Sequence, residues 1–92
     1  ATYFSLVETA SDWMVAKGLN AEDSRSYLGA LFGNLGDVLR DDPRSLDDLR
    51  VAHSTVGGLN EQVFHQFTAA GGATALTDAL TSVYHRVAGI KA

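Results

Sequence analysis

The residues best suited to chemistry form one short segment, Thr55-Val56-Gly57-Gly58-Leu59-Asn60-Glu61. A glycine pair leading straight into a helical pattern leaves the first N–H groups of that helix without intrahelical partners. Those amides, at the positive end of the helix dipole, suit an anionic group such as a carboxylate. Thr55 and Asn60 add side chains that can hydrogen-bond the same group, and Glu61 adds a further polar side chain. The same spacing also fits an ordinary capped turn, which is the commoner use of a Gly-Gly pair.

No other group of residues carries a recognisable reaction. His53, His65 and His85 lack metal-ligand spacing and have no H-E-x-x-H pattern, so they read as exposed or capping residues. Serines, histidines and aspartates are present, but no G-x-S-x-G elbow joins them. Asp41-Asp42 and Asp47-Asp48 fall in or beside a loop and read as solvated or capping carboxylates. No catalytic residue and no metal ligand is assigned.

Composition narrows the classes further. The 92 residues make one domain on length alone, and 46% of them are hydrophobic. A domain of this size buries only about 60–65% of the surface its unfolded chain exposes, so some apolar surface is free to meet a partner. There is no cysteine, which excludes disulfides and thiolate metal sites. The net charge is −4, and the seven Lys and Arg residues are scattered rather than gathered in a stripe, which argues against nucleic acid as a partner. Apolar runs are too short for a membrane span, and the opening Ala1-Thr2-Tyr3-Phe4 has no basic segment or cleavage pattern. It has no initiator Met and enters a helical pattern at once, so a fragment or a processed chain is expected, in the cytoplasm.

The elements that must position the loop are helices. No stretch alternates apolar and polar residues as a strand would. A first helix is expected from Thr2 to Lys17, with Tyr3, Leu6, Val7, Ala10, Trp13 and Met14 on one face and Gly18 as the stop. Trp13 and Met14 are expected in the core. A second opens at Asn20 as N-cap with Glu22 and Asp23 in its first turn, carries Leu28, Leu31, Phe32, Leu35, Val38 and Leu39, and ends at Asp41-Asp42-Pro43. Ser45 and Asp48 have capping-box spacing for a short third helix that buries Leu46 and Leu49. A fourth spans Leu59 to Ala70 and a fifth Ala73 to Val87, separated by Gly71-Gly72. The fold class is all-α with about five helices.

Three glycines interrupt the second helix. Gly29, Gly33 and Gly36 each cost about 0.8–1 kcal/mol against Ala in a helix interior, and something should offset that. Gly29 and Gly33 are four apart, so one face lets another helix approach closely. That helix belongs either to the same chain or to a second copy. The excess of apolar surface favours the second copy and an intertwined homodimer, with Gly29 and Gly33 at the interface. These glycines are not a dinucleotide loop, because neither G-x-G-x-x-G spacing nor a preceding strand is present.

In order along the chain, the segments resemble the C-terminal domain of pyrroline-5-carboxylate reductase and its relatives. The resemblance covers nearly the whole chain. Ala1 to Glu8, with Asp12, Val15 and Gly18-Leu19, resembles that family's first C-terminal helix. Leu46 to Leu49 resembles the approach to its loop, Thr55-Val56-Gly57-Gly58 its Ser/Thr-Pro-Gly-Gly motif, and Gly71-Gly72 with Asp78-Ala79 its closing glycines and last helix. The resemblance implies a single helical dimerisation domain over 1–92, an interlocked homodimer, and a Rossmann domain, absent from this chain, that binds NAD(P)H. It implies that the loop closes the substrate pocket and holds the substrate carboxylate, with Thr55, Gly57 and Gly58 matching the motif.

Two departures bear on the substrate. Val56 stands where the family has proline, and Leu59-Asn60-Glu61 follows where the family has small residues, often threonines. Asn60 takes the place of the missing hydroxyl donors, and a related imine or keto substrate is as open as pyrroline-5-carboxylate. The expected function is therefore the dimerisation and substrate-loop half of an NAD(P)H-dependent reductase of the proline-biosynthesis type, inactive by itself. Thr55, Gly57, Gly58 and Asn60 are its substrate-binding residues, and the parent enzyme acts on a small carboxylate-bearing substrate. The alternative from a different class is a stand-alone helical protein–protein interaction module; a helical bundle for a small ligand is a third.

Overall fold

A computed structural model describes residues 1–89 of the chain. Among the described residues there are five α-helices and no strand: α1 (Thr2–Ala16), α2 (Ala21–Asp41), α3 (Leu46–Ala52), α4 (Leu59–Ala69) and α5 (Gly72–Ala88). The all-α expectation holds, and each helix begins and ends within a residue or two of where its caps and breakers put it. None of these helices is long and apolar enough to cross a membrane. The chain divides into two compact units, Ala1–Pro43 and Arg44–Ala92.

The first unit is an antiparallel pair, α1 against α2. Helix α1 closes at Lys17, whose N–H donates to the Trp13 and Met14 carbonyls, and Leu19 N–H returns to Met14 O at 3.1 Å across Gly18. Asn20 then opens α2: its Oδ1 accepts from Asp23 N–H at 2.8 Å, and its Nδ2 donates to the Asp23 carboxylate at 2.9 Å. One residue thereby satisfies an orphan amide and fixes the acid of the first turn. The α1–α2 seam is thin. Ser24 and Leu28 are buried, while Val7, Ala10, Ser11, Met14 and Phe32 are half-buried. At the open end, the Tyr3 ring meets Phe32 edge-on at 5.6 Å between centroids.

In the second unit, Ser45 Oγ accepts from Asp48 N–H at 3.1 Å, as the capping spacing requires. Leu49 is buried, but its expected partner Leu46 is exposed. The Arg50 guanidinium lies over the Phe64 ring at 5.2 Å, which ties α3 to α4. Helices α4 and α5 meet at a tight corner. A Cβ added to Gly72 would overlap the Phe67 ring as it lies here, so that ring would have to shift for any larger residue.

Both units leave most of their large apolar side chains in solvent. Trp13 is 63% exposed, which corrects its expected place in the core, and Met14 is only half-buried. On α5, Leu76, Leu80, Val83, Tyr84 and Val87, which recur at helical spacing, are all exposed. Nothing within either unit covers these side chains, because each helix shares only a thin seam with its neighbours in the same unit.

Candidate functional site

The loop before α4 is built by two glycines with different duties. Gly57 sits at φ +75°, a left-handed conformation that a side chain strains. Gly58 is held by close approach instead: its N–H donates to the Thr55 carbonyl at 2.8 Å, and an added Cβ would fall 2.9 Å from that same oxygen. Thr55 thus closes a turn through its backbone, and its side chain packs beside Gly58. The first intrahelical bond of α4 runs from Gln62 N–H to Gly58 O at 3.2 Å, so the amides of Leu59, Asn60 and Glu61 lie ahead of the ladder.

The Gly57 amide has a carboxylate partner. Its N–H donates to Glu61 Oε1 at 3.1 Å, one helical turn further on. An acid in the first turn of a helix complements the dipole, and this one also reaches back to the turn that precedes the helix. Of the four residues read as a substrate loop, Thr55, Gly57 and Gly58 come together in this turn, with Asn60 exposed on the first turn of α4. The Gly58 amide points inward, to Thr55, rather than outward to a ligand. The role of Glu61 as partner of Gly57 was not read from sequence; its signal was the four-residue spacing from glycine to acid.

Near this loop, His53 ends α3. Its Nδ1 donates to the Leu49 carbonyl at 2.7 Å, so it caps the helix, as expected; His85 on α5 departs from the exposed or capping role expected of it, being half-buried with its Nδ1 buried and without a hydrogen-bond partner. Among the described residues no cluster of His, Cys, Asp and Glu could hold a metal ion.

In the first unit, Gly29 and Gly33 lie together on one wall of a groove between α1 and α2, with a volume of 680 Å³. Phe4, Val7, Leu28 and Phe32 give it an apolar floor; Glu8 and Asp12 on α1 and Arg25 on α2 mark its rim. Cβ atoms added to Gly29, Gly33 or Gly36 would meet nothing within 4 Å. Helix α1, which shares this unit with α2, therefore makes no close contact at these glycines. Near the end of α2, Arg40 forks to Asp41 and reaches Asp37, all at 3.0 Å, and those carboxylates raise its pKa above the ordinary value.

No family model, no curated protein and no solved structure matches the chain.

Proposed function

We propose that this chain is a helical self-association module, and that it serves as the dimerisation and substrate-loop half of an NAD(P)H-dependent reductase resembling pyrroline-5-carboxylate reductase. The observation that carries self-association is the exposure of the apolar faces. Among the described residues only Leu28 and Leu49 are buried hydrophobic side chains, while Trp13, Leu39, Phe67 and Tyr84 each expose more than half of their surface. Large apolar side chains left uncovered in this number, within each unit taken by itself, suit a protein-binding face. The three unused glycines of α2, costly in a lone helix, support the same conclusion.

The reductase half of the proposal is supported by the order of motifs and by the chemistry of the loop. The turn at Gly57 presents a backbone amide that already takes a carboxylate oxygen, that of Glu61. A substrate carboxylate would compete for this amide and add the free amides at the start of α4. Thr55 and Asn60 stand close enough in sequence to hydrogen-bond the same group. The hydride would come from a nicotinamide held by a separate dinucleotide-binding domain. The part of this chain is to orient the carboxylate end of a cyclic imine or keto acid and to join two subunits.

Two measurements test the two halves separately. Sedimentation equilibrium of the 92-residue chain should give a mass twice 9.8 kDa over a wide concentration range; a monomer throughout would sink self-association. A protein joining this chain to a dinucleotide-binding domain should oxidise NADPH or NADH in the presence of cyclic imines or keto acids. No turnover with any of them would remove the reductase assignment and leave the module.

A further inference from the structure

We infer that two copies of this chain close groove on groove into a four-helix bundle, in which α1 of each copy lies along α2 of the other about a two-fold axis parallel to the helices. The inference rests on the self-association proposed above and specifies its face and register. The face is the open groove of the first unit, which Phe4, Glu8 and Asp12 line from α1 and Arg25, Gly29 and Gly33 from α2. The register follows from the seam beneath it. Ser11 meets Ser24, and Tyr3 meets Phe32, so α1 and α2 run antiparallel at a fixed offset. At that offset Arg25 is level with the turn from Glu8 to Asp12, and Phe4 is level with the turn from Gly29 to Gly33.

Shape and charge along the two walls select a second copy as the occupant. A two-fold axis parallel to the helices keeps each residue at its own level and sets the α1 wall of one copy against the α2 wall of the other. Two unlike features then find complements at once. Phe4, 73% exposed in the single chain, is set over the gap between Gly29 and Gly33 of the second copy, where an added Cβ meets nothing within 4 Å. Arg25 of one copy is set between Glu8 and Asp12 of the other. In the single chain these three charged side chains are exposed and make no ion pair among the described residues. The acids of α2 do not stand in the way, because Glu22, Asp23 and Asp37 lie outside the lining of the groove. The other two-fold arrangement has its axis across the helices and lays α1 on α1 and α2 on α2. Centred on the groove, it sets Glu8 beside Glu8 of the second copy and leaves Arg25 without an acid, which like-charge repulsion opposes. Only the parallel axis makes the face complementary to itself.

The test joins a charge exchange to removal of the Phe4 ring, on the full 92-residue chain. Glu8→Lys and Arg25→Glu are made singly, together in one chain, and as a mixture of the two single variants; Phe4→Ala is made alone. All three positions are exposed in the single chain, and circular dichroism checks that each variant keeps its helix content. Dimer dissociation constants are measured by sedimentation, and the composition of the mixture by native mass spectrometry. Each single charge variant should weaken the dimer by about tenfold or more, since both symmetry-related contacts become repulsive. The doubly exchanged chain should recover the dimer. So should the mixture, as a heterodimer. There the introduced lysine of one chain faces the introduced glutamate of the other, and the unchanged Arg25 of the first faces the unchanged Glu8 of the second. Phe4→Ala should weaken the dimer by about tenfold or more, as loss of a buried aromatic anchor does. A wild-type dimer that Phe4→Ala leaves unweakened, or that neither charge variant weakens, would overturn the groove pairing and leave self-association standing. Weakening in both single charge variants without recovery in the mixture would overturn the pairing of α1 with α2 across the axis. A wild-type chain that stays monomeric overturns both this pairing and self-association.

Discussion

Ser11 and Ser24 lie hydroxyl to hydroxyl, Oγ to Oγ at 2.9 Å, at the one point where α1 and α2 close completely over a side chain. Ser24 is wholly buried, and its Oγ also stands 3.8 Å from Met14 Sδ. The pair does two things at once. It lets the helices come close, because serine is small, and it satisfies a buried hydroxyl that would otherwise cost its desolvation. Ser24→Ala keeps the close approach and loses the hydrogen bond, so it should lower the unfolding free energy by about 0.5–1.5 kcal/mol. Ser24→Leu keeps neither and should cost about 1–3 kcal/mol or more, by forcing the seam apart. Thermal denaturation followed by circular dichroism separates the two. A leucine variant as stable as the alanine one would show that the seam is looser than the burial of Ser24 indicates.

The turn before α4 offers a sharper contrast, because its two glycines are held for unlike reasons. Gly57→Ala strains a left-handed backbone and should destabilise by about 1 kcal/mol. Gly58→Ala should force the Thr55 carbonyl to move and break the short bond from the Gly58 amide. In a proton–nitrogen spectrum, the alanine at position 58 should therefore disturb Thr55 and its neighbours, while the one at 57 disturbs chiefly Glu61. Identical patterns of change from both would mean that the turn rearranges as a whole.

Glu61 can be tested apart from the glycines. Its carboxylate accepts from the Gly57 amide, at a position where the loop is proposed to hold a substrate carboxylate. Glu61→Ala should expose the Gly57 amide to solvent exchange, at a stability cost of no more than about 1 kcal/mol for so accessible a contact. It should also strengthen the response of the Gly57 resonance to an added carboxylate such as L-proline, since the internal competitor is gone. If the wild-type and Glu61→Ala chains respond alike, Glu61 and the ligand do not share the amide, and the loop assignment loses its support.

The same contrast between local and distant partners explains what could be read from the sequence. Local chemistry was legible. Asn20, Ser45, Gly18 and Pro43 each act on backbone within a few residues, so five helices and their ends followed from caps and breakers. Burial was not legible in the same way. Trp13 and Leu46 sit at apolar positions of amphipathic helices, yet both are exposed, because periodicity gives a direction and not a neighbour. The seam through Ser24 was missed for the converse reason: a serine in a helix carries no sign that another serine meets it. In the loop, Thr55, Gly57 and Gly58 were placed together correctly, but the hydrogen bonds that occupy the two glycine amides depend on how the turn closes.

The glycines of α2 permit a measurement in which folding and association move in opposite directions. Within the chain, a methyl group at Gly29 or Gly33 meets nothing within 4 Å, so alanine there adds helix propensity without a clash. Each Gly→Ala change should raise the stability of the dissociated chain by about 0.8–1 kcal/mol. In the proposed dimer, with Gly29 and Gly33 at the interface, the same methyl groups stand where a second helix approaches, and they must push it away. Overpacking of that kind costs about 1–3 kcal/mol, and the two-fold axis repeats it. Gly29→Ala and Gly33→Ala should therefore raise the melting temperature at concentrations below the dimer dissociation constant and weaken the dimer by about tenfold or more. Gly18→Ala, at the end of α1, is the control. Its positive φ of 107° makes alanine unfavourable for folding, but it lies off the α2 face. If alanine at Gly29 and Gly33 stabilises the chain and leaves its association untouched, these glycines face no second helix, and the exposed surface of α4 and α5 becomes the place to look for the partner.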